Sequence, residues 1–280
     1  MCLITPQIPQ QATDTSIFVG IEKLSENEPN CDLLRRRRDD VNTVSDASVT
    51  SGSQTSSSDN SRRRRRRNKK KHRKEPVDPV AKVEAELNLT SEEKSQYLAL
   101  DCEMVGYGYK GKKSALARVT LVDWDHNIVY DEHVKPEPFI TDYRTFVSGI
   151  TKEDLDQAQY ELESIREQVL KLIDGKILVG HGLKNDMRAL GIQLPFYMVR
   201  DTAKYEPFQK ARFDDGILWP QSLKTLSKNK LSRDIQMPGV AHCPKEDAAA
   251  AMDLYKVARR KWEKAMDYKI QRTREIERKQ

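Results

Sequence analysis

The chain has 280 residues, of which 33% are charged, and its net charge is +6. This composition is more polar than one compact globule requires, so part of the chain is expected to lie outside a folded core. No run approaches the roughly 18 apolar residues of a membrane-spanning helix, which argues against a membrane partner. The four cysteines lack the paired CxxC spacing of a zinc site, which argues against a zinc finger.

Residues 1–80 are predicted to form a disordered tail. The stretch SDASVTSGSQTSSSDNS, which begins at Ser45, is almost entirely small and polar and cannot bury enough apolar surface to offset the entropy of ordering. After it, eleven of the thirteen residues from Arg62 to Lys74 are positively charged. This basic run 62–74 is typical of segments that bind nuclear import receptors or RNA phosphates, and a solubilising linker is the alternative.

One folded domain is predicted over residues 90–262, where short apolar runs alternate with Gly, Pro, Asp and Asn. The predicted strands are Tyr97–Val105, Ser114–Trp124, Ile128–Val134, Lys176–Gly180 and Met198–Asp201. Apolar residues at helical spacing predict helices at Glu161–Ile173, Leu183–Leu190, Leu223–Ser227 and from Pro244 onward. Three successive strands followed by alternating helices and strands predict an α/β fold with a mixed sheet. Residues 263–280 are predicted to be a charged, helical extension.

The stretch YLALDCEMVG places two acids, Asp101 and Glu103, in what is otherwise a buried strand. Residues two apart in a strand lie on one face, so the two carboxylates would lie side by side. A buried pair of acids needs a positive partner, and this strand contains no Arg or Lys. A divalent cation held by oxygen ligands, Mg²⁺ or Mn²⁺, is the favoured interpretation. The alternative is an edge strand with two solvated acids.

Two further segments could bring ligands to such a site. In ILVGHGLKNDMRAL, a strand leads through His181 into a helix whose first turn contains Asp186, near the sheet edge where the sites of α/β proteins collect. In AHCPKEDAAAAMDLY, His242 precedes a helix that begins at Pro244, and Asp247 lies one turn inside it. Four alanines would let this helix lie close to the sheet. Taken singly, each segment has an ordinary alternative: an acid favoured by the helix dipole, and a surface His–Asp pair.

Together, DCE at 101–103, GHGLKND ending at Asp186 and HCPKED from His242 to Asp247 resemble the three motifs of the DEDDh 3′-to-5′ exonucleases, a branch of the ribonuclease H-like superfamily. The segments LDCEMVG, TDYRTFVSGI, RDTAKY and SLKTLS, with the later pair IQ, are similar to the RNA exonuclease 4 type, whose nearest sister is the interferon-stimulated exonuclease. The resemblance covers residues 95–262. It implies a ribonuclease H-like, mixed five-stranded sheet flanked by helices.

The same resemblance implies the chemistry and the residues that perform it. Two divalent cations, Mg²⁺ or Mn²⁺, would be held by four acids, Asp101, Glu103, Asp186 and Asp247. His242 would be the general base. The terminal nucleotide would contact Met104, Arg144 and His181, although Arg144 could equally be a surface arginine. Nucleoside 5′-monophosphates would be released from single-stranded RNA 3′ ends. Precursor ribosomal RNA would be the substrate, in the nucleus and its nucleolus.

Several alternatives remain open on these residues. The same chemistry could act on DNA in repair, or on viral and other cytoplasmic RNA, and a non-catalytic RNA-binding factor could retain the same fold. The loop YGYKGKK, residues 107–113, combines aromatic residues, glycines and lysines, a mixture suited to single-stranded nucleic acid. A plain hairpin loop is equally consistent with this composition.

Overall fold

The computed structural model describes residues 78–211 and 216–279. The predicted tail, including the basic run 62–74, therefore lies outside the described residues apart from positions 78–80. These positions open helix α1 (Pro79–Leu87), which Asp78 caps by accepting a hydrogen bond from the Val80 N–H. Val80 is buried in the core, and Glu84 accepts a hydrogen bond of 2.7 Å from Lys256. The packed chain thus starts ahead of residue 90, the predicted domain boundary.

The other helices are α2 (Ser91–Ser95), α3 (Thr145–Ser148), α4 (Lys152–Asp156), α5 (Leu162–Ile173), α6 (Lys184–Leu190), α7 (Leu223–Leu226) and α8 (Pro244–Glu277). A π turn at Ser227–Leu231 continues α7, and short 3₁₀ turns lie at Tyr109–Gly111, Phe196–Met198 and Glu206–Phe208. The four predicted helices correspond to α5, α6, α7 and α8.

The strands are β1 (Tyr97–Tyr107), β2 (Lys113–Val122), β3 (Ile128–Lys135), β4 (Ile140–Asp142), β5 (Tyr160–Glu161), β6 (Ile177–Gly180), β7 (Val199–Asp201), β8 (Lys210–Ala211) and β9 (Leu218–Trp219). The main sheet has the order β5-β3-β2-β1-β6-β7, and β4 pairs with the far end of β1. The β1–β2, β2–β3 and β1–β4 pairs are antiparallel, whereas β1–β6, β6–β7 and β3–β5 are parallel. Strands β8 and β9 form a separate hairpin.

The five predicted strands are confirmed as β1, β2, β3, β6 and β7, and they form the mixed sheet that was expected. The predicted number of five was nevertheless too low for the sheet, which has seven strands within the described residues. The two additional strands, β4 and β5, contain three and two residues. Strands of this length are too short to show an alternating apolar pattern.

Strand β1 is central and covered on both faces. Leu98 and Leu100 belong to one hydrophobic core with the inner sides of α5 and α6. Ala99, which lies between them, belongs to the core on the opposite face, which α8 covers through Ala248 and Ala251. The expected close approach of the alanine-rich helix to the sheet is confirmed, and it brings the first turn of α8 to β1.

Helix α8 runs without interruption from Pro244 to Glu277, so the predicted extension over residues 263–280 forms, through Glu277, the outer part of the same helix. Its Trp262 stacks on Tyr205, with the two ring centroids 4.1 Å apart, and fixes the helix to the loop after β7. Across the described ranges, no helix combines the length and the apolarity that a membrane crossing needs.

Candidate active site

Two of the predicted acids lie next to each other on the central strand. Asp101 and Glu103 occupy positions two apart in β1, on the face that α8 covers. Glu103 is buried and Asp101 is partly exposed. In the pairing with β2, a bulge falls between Glu103 and Met104, where bulges redirect a strand and its side chains. The predicted strand is therefore present as β1, and its two acids lie on the same face, as expected.

Asp247 reaches the same face from the first turn of α8. Pro244 is the first helical residue, and the backbone N–H of Asp247 donates to the Cys243 carbonyl at 2.9 Å. Its Oδ2 accepts a hydrogen bond of 2.9 Å from Gln236 Nε2. Its Oδ1 is buried and has no hydrogen-bond partner among the residues that the structure describes. A buried carboxylate oxygen without a donor is unfavourable unless a positive group binds it.

Asp186 approaches β1 from the opposite side. It lies in the first turn of α6, a short loop after the end of β6, and is buried. The thiol of Cys102 hydrogen-bonds to it, and Cys102 alternates to the opposite face of β1 from Asp101 and Glu103. The charge of Asp186 nevertheless raises the pKa of both Asp101 and Glu103. The four carboxylates therefore share one electrostatic environment.

Burial raises the pKa of all four acids. Burial and the charge of Asp247 raise the pKa of Glu103 to about 8, against a partial offset by Arg118. Burial, followed by the charges of Asp247, Asp186 and Glu103, raises the pKa of Asp101 well above its ordinary value. Burial also raises the pKa of Asp186 to about 7 and that of Asp247 to about 7. Full ionisation of this cluster at neutral pH therefore calls for a compensating cation.

The four acids fit a hard divalent cation by their chemistry, although they are not gathered around one point. All four supply oxygen, the ligand that Mg²⁺ and Mn²⁺ prefer. Within residues 78–211 and 216–279, no three His, Cys, Asp or Glu side chains stand close enough together to hold a metal ion as placed. Like charges repel one another, so a cation would have to draw these carboxylates inward. Asp101, Glu103, Asp186 and Asp247 remain the predicted ligands.

In EDTA, the protein is expected to lose stability as the pH rises through neutrality. The folded-state pKa values of Glu103, Asp186 and Asp247 lie at about 8, 7 and 7, above the unfolded values of about 4. The folded state therefore binds more protons than the unfolded state. The stability linked to these protons is complete below about pH 4 and is lost as the pH passes 7 and 8.

Thermal melts in EDTA at a series of pH values measure this effect. Glu103→Gln should flatten the dependence of Tm on pH, because it removes one of the shifted groups. Asp174→Asn, which changes an exposed acid outside the site, should leave the dependence as in wild type. A Tm that is constant from about pH 5 to about pH 8 would contradict the shifted acids.

His242 lies beside Asp247 in the loop that leads into α8. Its Nδ1 is 3.6 Å from Oδ2 of Asp247, and its backbone N–H donates to the Val147 carbonyl at 2.8 Å. Burial lowers the pKa of the imidazole, and the positive charge of Lys224 lowers it further, against a smaller opposing effect of Glu246. The ring is therefore neutral at neutral pH, the state in which it can accept a proton.

Two of the three predicted substrate residues lie in or directly after the central strands. Met104 is partly buried and comes directly after Glu103 in β1. His181 follows β6, and its Nδ1 is 2.9 Å from the hydroxyl oxygen of Thr202. That hydroxyl donates to the Gly180 carbonyl, so it can accept a hydrogen bond from Nδ1–H of His181. Burial lowers the pKa of this imidazole as well.

Arg144 lies farther away, at the distal end of β1, and fixes the hairpin between β1 and β2. Its guanidinium donates to the Gly111 carbonyl at 2.8 Å and to Ser114 Oγ at 3.0 Å. Its own backbone has a φ of +51°, which is uncommon for a residue other than glycine. Part of its role is therefore to hold the hairpin, and the predicted nucleotide contact would use its remaining donors.

Gln236 is a site residue that the sequence motifs did not single out. Besides the bond to Asp247, its carbonyl accepts a hydrogen bond of 2.6 Å from Lys224 Nζ, and its φ is +51°. These contacts hold an unusual backbone conformation in which the side-chain amide reaches the carboxylate. The sequence signal for this residue was its place in the pair IQ, which carries no information about geometry.

Replacing Gln236 with methionine is expected to weaken divalent-ion binding. The Gln236 hydrogen bond lowers the pKa of Asp247, so its removal makes that carboxylate harder to ionise. The Mn²⁺ concentration that gives half of the metal-induced rise in Tm should increase about tenfold, the effect typical of removing a hydrogen bond that supports a metal ligand. Gln209→Met is the matched control, because Gln209 donates to the Ala203 carbonyl and to none of the four acids. Equal midpoints in both variants would contradict the role of Gln236.

Comparisons with known proteins match most of the described domain to one family. Residues 98–255, more than half of the chain, match the Exonuclease (RNase_T) family. RNA exonuclease 4 of Homo sapiens is 46% identical over 166 residues, which cover 59% of this chain and 38% of that protein. Interferon-stimulated 20 kDa exonuclease-like 2 of Bos taurus is 43% identical over 166 residues, 59% of this chain and 47% of that protein.

The solved structures that resemble this fold include the Saccharomyces cerevisiae apo Pan2 pseudoubiquitin hydrolase–RNA exonuclease module in complex with AAGGA RNA. It has a TM-score of 0.51 and 29% sequence identity, covering 68% of this chain and 34% of that chain. The chain matches less than half the length of the two curated relatives named above. The resemblance inferred from the three motifs is confirmed, and the chain belongs to the Exonuclease (RNase_T) family.

Proposed function

We propose that the chain is a divalent-metal-dependent 3′-to-5′ exonuclease that releases nucleoside 5′-monophosphates from single-stranded RNA. The observation that carries the proposal is the cluster of four acids with raised pKa values, beside a histidine with a lowered one. Several titratable groups with perturbed pKa values in one region of a protein are typical of catalytic sites. RNA as the substrate is supported by the names of the relatives and by the RNA bound to the Pan2 module.

Each acid has a role that follows from its position. Asp101, Glu103 and Asp247 share one face and would hold one cation, and Asp101 with Asp186 would hold the second. The ions, when bound, would lower the pKa of the attacking water and offset the negative charge that develops on the phosphate. Of the four proposed ligands, Asp247 has a buried oxygen, Oδ1, without a hydrogen-bond partner among the described residues, and a cation would compensate this oxygen.

His242 would accept the proton of the attacking water. Its neutral ring lies next to Asp247, and its backbone hydrogen bond to Val147 fixes the loop that presents it. Met104 would pack against the terminal nucleotide, and His181 would line the pocket of that nucleotide. Arg144 would contact it with the donors that are not used in the hairpin.

The experiment that tests this function follows a 5′-labelled single-stranded RNA in the presence of Mn²⁺ or Mg²⁺. The expected products are a ladder of shortened labelled strands and free nucleoside 5′-monophosphates. A matched DNA strand tests the alternative substrate, and a 3′-phosphate block tests the direction. Binding of RNA without any release of mononucleotides would support a non-catalytic RNA-binding factor and contradict the proposal.

We further propose that the enzyme acts in the nucleus, in the nucleolus, on precursor ribosomal RNA. The support is the likeness to the RNA exonuclease 4 proteins and the basic run 62–74, which is suited to nuclear import receptors. Imaging of the full chain with and without residues 62–74 tests the location. Mapping of RNA 3′ ends in cells that lack the protein tests the substrate, and cytoplasmic or viral RNA among the stabilised species would contradict it.

A further inference from the structure

Two aromatic rings project from the surface on the β1 side of the site. Tyr109, at the tip of the hairpin between β1 and β2, is 75% exposed, and Phe146, in α3, is 76% exposed. Val147, the next residue in α3, is also exposed. Exposed large apolar groups close together often mark a binding surface. The proposed catalytic residues make no use of either ring.

Helix α3 connects the hairpin to the His242 loop. Arg144, immediately before α3, donates to the Gly111 carbonyl in the hairpin. At the other end, the Val147 carbonyl accepts the hydrogen bond from the His242 backbone N–H. Phe146 and Tyr109 therefore lie on two elements that Arg144 links, and one of these elements is hydrogen-bonded to the His242 loop.

The hairpin tip is positively charged and held in place. Lys110 Nζ and Lys112 Nζ lie 5.5 and 5.9 Å from the centre of the Tyr109 ring. Thr141 Oγ1 donates to the Gly108 carbonyl at 2.8 Å, and a Cβ on Gly111 would lie 2.7 Å from Cβ of Asp142. The turn thus packs directly on β4, which holds its backbone in place.

We propose that Phe146, Tyr109, Lys110 and Lys112 form a track that binds the nucleotides upstream of the reacting 3′ end of a single-stranded RNA. Bases stack on the two rings, and the lysines bind the phosphates between them, the combination used by proteins that bind single strands. The track rests on the proposed function, because it takes His242 as the position of the reacting phosphate. The length of the RNA should therefore affect its binding to this surface and leave the rate of the chemical step unchanged.

The test compares a dinucleotide with an octanucleotide as substrates of the full chain. In Phe146→Ala and Tyr109→Ala, the KM for the octanucleotide should rise about tenfold in each variant, the effect of removing one ring on which a base stacks. The kcat and the KM for the dinucleotide should stay as in wild type. Phe146→Tyr should restore the wild-type KM, because it restores a ring. Tyr268→Ala, which removes an exposed ring from the outer part of α8, is the matched control.

A second measurement addresses the lysines. Lys110→Gln with Lys112→Gln should reduce the salt dependence of octanucleotide binding, by about 0.7 in the slope of log K against log salt for each phosphate that is no longer neutralised. Lys261→Gln with Lys264→Gln, on the exposed side of α8, should leave the slope unchanged. An unchanged slope in the first pair would overturn the binding of phosphates by these lysines.

The outcomes separate the track from the proposed function. If wild type cleaves both strands and the aromatic variants show no change in octanucleotide KM, the track is wrong and the exonuclease stands. If wild type cleaves neither strand, the exonuclease proposal fails, and an octanucleotide containing 2-aminopurine then tests the track by its fluorescence. Stronger quenching by wild type than by Phe146→Ala and Tyr109→Ala supports the track, and equal quenching overturns it.

Discussion

Asp101→Ala is expected to lower RNA hydrolysis by several orders of magnitude, to the uncatalysed background, while the fold is retained. Asp101 is the acid whose pKa responds to all three of the others, Asp247, Asp186 and Glu103. It is therefore the residue best placed to serve both proposed cations. Its removal also relieves repulsion in the cluster, so the variant should melt at a higher temperature than wild type in EDTA.

The two effects of Asp101→Ala are measured by the mononucleotide assay and by thermal melts with and without Mn²⁺. The variant should lose the metal-induced rise in Tm that wild type shows. Asp174→Ala, at an exposed acid, should match wild type in both measurements. The two-cation proposal fails if Asp101→Ala keeps either its cleavage or its metal-induced stabilisation.

His242→Ala is expected to lower kcat about a hundred-fold to ten-thousand-fold, the range that a positioned general base supplies. None of the proposed metal ligands is removed, so the Mn²⁺-induced rise in Tm and the affinity for RNA should remain near those of wild type. In wild type, activity should increase with pH as the imidazole loses its proton, and then level off. Burial and Lys224 lower the pKa of this imidazole, so the rise should be complete at a lower pH than for an ordinary histidine, whose pKa is about 6.5.

His242→Asn distinguishes a base from a residue that only orients water. An amide can hydrogen-bond to a water molecule but cannot take its proton. The asparagine variant should therefore be nearly as slow as the alanine variant, and its rate should not depend on pH over the histidine range. Retention of most of the wild-type rate by His242→Asn would rule out the base assignment.

The sequence predicted the elements of the site more completely than it predicted their arrangement. Two acids two apart in an apolar run could lie side by side only on a strand, so the place of Asp101 and Glu103 in β1 followed from backbone periodicity alone. The position of Asp247 followed from Pro244, which can begin a helix but cannot lie within one. These inferences needed only local geometry.

Interactions between segments that are far apart in the sequence could not be inferred from local geometry. Gln236 reaches Asp247 through an uncommon backbone conformation that cannot be predicted from its residue type. Arg144 holds the β1–β2 hairpin through a carbonyl and a hydroxyl, and many residues could supply such acceptors. Helix α1 lies ahead of residue 90, the predicted start of the domain, and it is held there by contacts with distant segments through Val80 and Glu84. Tertiary packing decides such positions, and local propensity does not.

The anchoring of α1 determines where a protease could separate the catalytic domain from the rest of the chain. Lys256 has 1% of its side chain exposed, and Glu84 of α1 supplies one of its two carboxylate partners, with Asp253 as the other. Cleavage near residue 90 would remove Glu84 and Val80. The buried ammonium group of Lys256 would then lose one of its two carboxylate partners, and the core that α1 covers would be exposed. Limited digestion should therefore leave a resistant fragment that still contains α1, and a fragment that begins near residue 90 should be less stable.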